Sequence, residues 1–368
     1  MTAIELIIFA ILFISHSIFL GIVLFNYSTA PRLYNTRKEI TENIFISILI
    51  PVRNEEKNIG DLLNSINQQS YDNYEVIVLD DNSEDQSTKI VQEYSSKYSK
   101  VKLVNGKSIP SNWLGKNWAC YQLSKYANGE YLLFVDADVT LNKHAVSNAI
   151  YEMQKHKLSL YSVFPTQKIA SFGEWFVVPL MNWLLLNFLP LKFVNSKKSE
   201  NLAAANGQFL MMNKEIYEQI GTHEAVKNEV VEDMQFVRLF KRNGYKVRTS
   251  LGEDAVFCKM YNSFSDSVNG FVKNFYKGFN VGKTTFIILL LVLFFMFTAP
   301  LLLYFFNDIF MLIVLMIFFE RIFISIMSKQ NWFLNLILHP FQMIIMLLIG
   351  LKSVSSKYYN WKERIVES

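Results

Sequence analysis

The sequence predicts an α/β domain on a mostly parallel central sheet, held between an N-terminal membrane anchor and a block of C-terminal membrane helices. Three observations predict it. Apolar strand-like runs, ISILIPV, EVIVLDD, VKLV and YLLFVDAD, alternate with helical patterns between residues 46 and 138, and that alternation calls for crossover connections between parallel strands. TAIELIIFAILFISHSIFLGIVLF, near the N-terminus, is long enough as a helix to cross about 30 Å of hydrocarbon. Past residue 285, FIILLLVLFFMFTAPLLLYFF, IFMLIVLMIFF and FLNLILHPFQMIIMLLIGL gather the apolar excess of a 368-residue chain that is 51% hydrophobic.

The first apolar run competes with a cleaved signal peptide. No basic segment precedes it and no A-x-A site follows, so an uncleaved anchor over residues 1–28 is expected. Arg32, Arg37 and Lys38 come next, which by the positive-inside rule puts the following domain, residues 44–280, in the cytoplasm of a multi-pass cell-membrane protein. Within the 285–351 block, Asn307 and Asp308 would then face outside and Lys329 inside. The last run is interrupted at His339-Pro340, and the 352–368 tail carries Lys352, Lys357, Lys362 and Arg364. Four full spans would leave this basic tail outside; a re-entrant 333–351 segment would keep it inside. Both arrangements stay open.

In the domain, ISILIPV is a β-rich run ending near Pro51. EEKNIGDLLNSINQQ sets Ile59, Leu62, Leu63 and Ile66 on one stripe of a surface helix. After the strand EVIVLDD, Ser83 and Gln86 have capping-box spacing for a second helix. VKLV, the helix KNWACYQLSKYA and the strand YLLFVDAD continue the series. The net charge is only +4, and no Lys/Arg cluster is interleaved with aromatics, so no nucleic acid partner is expected. Cys120 and Cys258 have neither metal nor disulfide spacing and read as buried thiols in a reducing compartment.

Ligands of such sheets bind outside the carboxyl ends of the strands. That rule joins three spots: Pro51, Arg53 and Glu55 after the first strand, Asp80 and Asp81 after the second, Asp136 and Asp138 after the fourth. A turn at the end of YLLFVDAD would aim both of its carboxylates into one crevice, where Mg²⁺ or Mn²⁺ could bind them and fill its shell with water and phosphate oxygens. A D-x-D on a loop also fits a solvated turn. Asp80 and Asp81 fit either an Asx turn with a helix cap or acceptors for a base N–H or a ribose hydroxyl; Glu55 suits the second role too.

ILIPVRNEEKNI, VIVLDDNSED and LLFVDADVT, in that order, resemble the family 2 glycosyltransferases of GT-A nucleotide-sugar-binding fold, over roughly residues 46–260. The resemblance implies that Asp81 reads the base edge, Asp136 the ribose, and Asp138 the metal bridging the diphosphate, with Pro51, Arg53, Glu55 and Asp80 in the nucleotide pocket. In WLGKNWAC, Lys116 stands where the family contacts the nucleotide-sugar, a UDP-sugar by preference, and Gly115 permits close approach of backbone. A surface lysine at a helix start is the plain alternative. NEVVEDMQFV resembles the family's ED motif: Asp233 would be the general base for an inverting displacement, and Glu232 its neighbour or simply a helix N-terminal acid.

The Q-x-x-R-W motif of processive polysaccharide synthases is missing at its usual distance; Gln235 and Arg238 lie too close to Asp233. CKMYNSFSDSVNGFVKNFYKGF, with Lys259 and Tyr261, looks instead like the non-processive membrane enzymes that glycosylate carotenoid acids and related polyisoprenoid lipids. A lipid acceptor from the bilayer follows by resemblance. The 164–193 segment, with Trp175, Trp183, Pro179 and Pro190, reads as an interfacial helix or as a core helix. Asn206, Gly207, Gln208, His223 and Glu224 are further acceptor-side candidates. A processive exopolysaccharide synthase and a non-catalytic sugar-nucleotide binder remain rival readings, the second disfavoured because a binder needs no base.

Overall fold

The computed structural model describes residues 2–196, 199–200, 202–356, 358–361 and 364–367. Helix α1 (Ala3–Thr29) leads into β1 (Ile46–Val52), α2 (Ile59–Asn67), β2 (Tyr74–Asp80), α3 (Ser87–Lys97), β3 (Val101–Asn105), α4 (Gly115–Tyr126) and β4 (Tyr131–Val135). The domain continues through β5 (Val139–Leu141), α5 (Ala145–His156), β6 (Leu160–Phe164), β7 (Thr166–Gln167), α6 (Pro179–Phe188) and α7 (Leu191–Ser196). It is completed by β8 (Phe209–Asn213), α8 (Lys214–Gln219), α9 (Glu232–Arg242), β9 (Val247–Leu251) and β10 (Val256–Cys258). Helices α10 (Phe264–Phe279), α11 (Lys283–Leu303), α12 (Met311–Met327), α13 (Trp332–Ile337) and α14 (His339–Ser355) follow, then a short antiparallel pair, Tyr358–Trp361 with Arg364–Glu367.

The central sheet has the order β3-β2-β1-β4-β8-β6-β9. β1 runs parallel to both β2 and β4, and β2 to β3. β8 enters antiparallel between β4 and β6, so the sheet is mostly parallel with one reversed strand. Burial of all seven residues of β2 and all five of β4 explains their unbroken apolar sequence, because helices cover both faces. The α2 stripe of Ile59, Leu62, Leu63 and Ile66 is buried as its spacing predicts, each side chain contributing about 1.5–3 kcal/mol on leaving water.

The Ser83–Gln86 capping box does not form. Helix α3 begins at Ser87, and Gln86 makes no side-chain cap. The Ser83 hydroxyl accepts from the Asn54 amide instead, at 3.1 Å, and the Ser87 hydroxyl accepts from the Glu55 amide at 2.7 Å. These residues wire the β1 and β2 loops together, a tertiary demand that outranks the local cap.

Among the described residues, three segments are long and apolar enough to cross a membrane: Ala3–Thr29, Lys283–Leu303 and Asp308–Met327. The apolar run breaks at Leu338, between α13 and the 17-residue α14, which His339-Pro340 begins. The 164–193 segment folds as β6 and β7 ends, a 3₁₀ turn (Phe172–Phe176), then α6 and α7; Trp183 is fully buried and Phe172 exposed. After α1 the chain bonds to the end of β9, Leu33 N to Leu251 O at 2.8 Å and Leu251 N to Pro31 O at 2.9 Å. Buried Glu253, in the next turn, pairs with Arg32 at 2.7 Å and with Lys329 at 3.0 Å. The basic ends of α1 and α12 therefore meet one turn of the α/β domain. In the expected basic tail, Lys357 and Lys362 lie outside the described residues.

Candidate active site

The carboxyl ends of β1, β2 and β4 converge. Beyond β4, Val139 N donates to Asp136 O at 3.2 Å, closing a turn over Asp136-Ala137-Asp138. β5 then returns antiparallel to β10, so that Lys259 N donates to Asp138 O at 3.2 Å. That register sets the Cys258 thiol against the Asp138 carboxylate, while Gln208 Nε2 donates to Cys258 Sγ at 2.7 Å. Asp138 Oδ1 is buried without a hydrogen-bond partner among the described residues. Burial, with Asp136 and Glu55 nearby, pushes the Asp138 carboxyl up to about 7. A carboxylate so placed would be stabilised by an added positive charge.

Lys116, second residue of α4, reaches the same crevice. Its Nζ lies 2.9 Å from Asp136 Oδ2 and 3.2 Å from Glu232 Oε1, with about a quarter of the side chain accessible. Against the pull of burial, Asp136 and Glu232 hold the ammonium well above the ordinary lysine range. The start of α4 is anchored where Leu114 N donates to Lys227 O at 2.8 Å and Asn117 Nδ2 to the Val226 and Glu229 carbonyls at 2.9 and 3.0 Å. The plain reading of Lys116 as a surface lysine does not describe it.

Asp233, in the first turn of α9, accepts from Gly207 N at 2.8 Å and Met234 N at 2.7 Å. Burial, with Glu232 beside it, pushes the Asp233 carboxyl up to about 7, the range in which a carboxylate serves as a base near neutral pH. Gly207 is needed for close approach: a Cβ there would stand 3.1 Å from Glu232 Oε1 and 3.2 Å from Lys116 Nζ.

The nucleotide-pocket candidates divide. Arg53, buried, donates through Nη1 to the Asp81 and Asn82 carbonyls at 2.9 and 2.7 Å and so braces the β2 loop. The Asp80 carboxylate caps its own turn through Ser83 N at 3.3 Å. Asp81 is buried, its amide bonded to Val52 O at 2.8 Å, and Glu55 Oε2 accepts from Asn58 Nδ2 at 2.8 Å. Pro51 sits one residue inside the end of β1.

On the acceptor side, Lys259 is exposed, whereas Tyr261 is buried with its ring directly over Gly270 of α10. Gln208 is buried and its Oε1 faces Gln167 Nε2 at 3.4 Å. His223 is structural: its Nδ1 meets Tyr217 OH at 2.7 Å, Phe134 and Phe236 flank the ring, and burial lowers it to about 3. Glu224 is exposed. Sequence reasoning missed Lys273, on α10, whose ammonium burial depresses to about 8 while Glu232 and Asp136 draw it the other way. Only the fold returns α10 to the crevice; its aromatic-basic stripe was the available signal.

Residues 47–221 match the family described as "Glycosyl transferase family 2". The chain is similar to a Staphylococcus haemolyticus (strain JCSC1435) protein described as 4,4'-diaponeurosporenoate glycosyltransferase, 30% identical over 249 residues, 67% of this chain and 64% of that one. A Staphylococcus aureus (strain USA300) protein of the same description is 32% identical over 239 residues, 63% and 61% of the two chains. The chain thus spans somewhat under two thirds of the length of these curated relatives. Among solved structures, it resembles the mannosyltransferase PcManGT from Pyrobaculum calidifontis in complex with GDP-Man and Mn²⁺, at TM-score 0.52 and 17% identity, covering 74% of this chain and 76% of that one. That likeness is one of fold, the GT-A fold.

Proposed function

We propose, from the premise that residues 47–221 form a family 2 glycosyltransferase domain, that this protein transfers a single sugar from a nucleotide-sugar to a lipid acceptor taken from the membrane. The observation that carries the proposal is the convergence of Lys116, Asp136, Glu232 and Asp233 within one crevice. The relatives described as 4,4'-diaponeurosporenoate glycosyltransferases support a lipid-type acceptor here, and UDP is the preferred donor nucleotide. The three apolar helices among the described residues support a multi-pass cell-membrane protein, and Arg32, Arg37 and Lys38 after the first support an α/β domain in the cytoplasm.

The donor diphosphate would lie between Asp138 and Lys116. Among the described residues no group of three or more His, Cys, Asp or Glu forms a protein-only metal cage. That donor set fits Mg²⁺ or Mn²⁺ held by Asp138, with Asp136 beside it, because such ions keep water and substrate phosphates in their shell. When bound, the cation neutralises charge developing on the diphosphate. Lys116, fixed by two carboxylates, adds a second positive charge at the leaving group without needing to reorganise. Asp233 takes the proton of an acceptor hydroxyl as its oxygen attacks the anomeric carbon, the bond to the diphosphate breaks, and one displacement inverts the configuration. An acceptor that is already a carboxylate needs no proton removed, and there Asp233 would orient rather than deprotonate.

The test is product size. Purified protein given labelled UDP-sugars, a divalent cation and a bacterial lipid extract is expected to yield a lipid heavier by one sugar. A long polymer would establish the processive synthase instead, and nucleotide-sugar binding without transfer would establish the non-catalytic binder.

A further inference from the structure

The apolar helices enclose a group of polar side chains that the transfer reaction does not use. His16 of α1 and Glu320 of α12, both inaccessible, pair at 3.1 Å, and His16 Nε2 faces Met296 O at 3.1 Å. Next to them Arg321 is 2% exposed. Its Nη2 reaches Asn335 O only at 3.5 Å, its Nε has no hydrogen-bond partner among the described residues, and its guanidinium stands 6.0 Å from the centre of the Trp183 ring. Glu320, the neighbouring carboxylate, is engaged by His16 through Oε1; its Oε2 has no hydrogen-bond partner among the described residues and it makes no ion pair with Arg321 there.

A guanidinium carries five donors and keeps its charge in proteins. Burying one without a paired anion is costly, and more so among membrane helices. Further polar atoms without a hydrogen-bond partner among the described residues lie on the helices packed here: Trp183 Nε1, both amide atoms of Asn187 one turn further along α6, and His339 Nδ1. Phe297 ties these together, with its ring 4.8 Å from that of Trp183 and its carbonyl 3.0 Å from His339 Nε2. Arg321 lies six residues from the end of α12 that meets the α/β domain, about 9 Å along the helix. A headgroup in the domain-facing leaflet is within reach of that depth.

We infer that Arg321, with Trp183, Asn187 and His339, forms a binding site for the anionic head of a membrane amphiphile, a carboxylate or a phosphate. Trp183 and Asn187 supply neutral donors beside the charge, and a planar guanidinium suits two oxygens of one head. The site stands apart from the donor crevice, so its failure leaves the proposed transfer reaction untouched.

The test uses the full chain in a non-ionic detergent, with native mass spectrometry and thermal unfolding on titration with phosphatidylglycerol, oleate, phosphatidylcholine or inorganic phosphate. Wild type is expected to bind one phosphatidylglycerol or oleate and to unfold at higher temperature, the stronger of the two identifying the head. Arg321→Gln should bind it about thirtyfold or more weakly, as expected when one partner of a buried charge pair is removed, while exposed Lys283→Gln binds normally. Equal binding of phosphatidylcholine by wild type, or a response to inorganic phosphate alone, would overturn the assignment even if Arg321→Gln proved unable to fold. So would the absence of any bound amphiphile.

Discussion

Asp233, the proposed base, is where the chemistry is most exposed to test at the level of single residues. A base must be ionised to accept a proton, and its carboxyl is pushed up to about 7. Turnover on a hydroxyl acceptor is therefore expected to rise with pH through about 7 and level off above it, falling about tenfold per unit on the acid side. A stopped-time assay between pH 5 and 9 checks this, and Asp233→Asn should lower turnover by about 10²- to 10⁴-fold with donor affinity retained. If Asp233→Asn keeps full turnover on a hydroxyl acceptor, the base is elsewhere. Gly207→Ala puts a methyl group 3.1 Å from Glu232 Oε1 and 3.2 Å from Lys116 Nζ. It should reduce turnover by displacing Lys116 while far-UV circular dichroism stays unchanged; normal kinetics would show that the crevice has slack there.

Among the elements, the turn after β9 does a job that no local motif announces. Glu253 receives Arg32 from the exit of α1 and Lys329 from the exit of α12. Glu253→Gln removes both ion pairs, and protease cleavage between residues 29 and 38 is expected to accelerate, with an apparent destabilisation of about 1.5–3 kcal/mol; an unchanged cleavage rate would mean that the bridges carry no docking energy. The contrast with β4 shows what a sequence displays. YLLFVDAD announces itself, since an apolar strand ending in acids has few packing explanations, whereas the ED pair at the start of α9 is legible only through its resemblance to a family motif. Lys273 was not legible, because its approach to Glu232 depends on how α10 packs after the sheet is complete. Nor was the placing of Cys258 against Asp138, which needs the β5–β10 register. Ser83 was misread as a cap because its partner, the Asn54 amide, comes from another loop. His16, Glu320 and Arg321 were hidden inside runs whose average is apolar, and only the packed helices show them as neighbours.

The whole molecule places the candidate crevice on an α/β domain that is tied directly to helices long and apolar enough to cross a membrane, so that the proposed water-soluble donor and bilayer acceptor could meet at one site. Everything in that account depends on the diphosphate being held at the end of β4. Titration calorimetry of UDP into the full-length protein, with and without Mn²⁺ and repeated on Asp138→Ala, measures this most directly. Mn²⁺ is expected to strengthen UDP binding to the wild type, and Asp138→Ala to abolish this gain. UDP binding that is equally tight in Asp138→Ala with Mn²⁺ would contradict it.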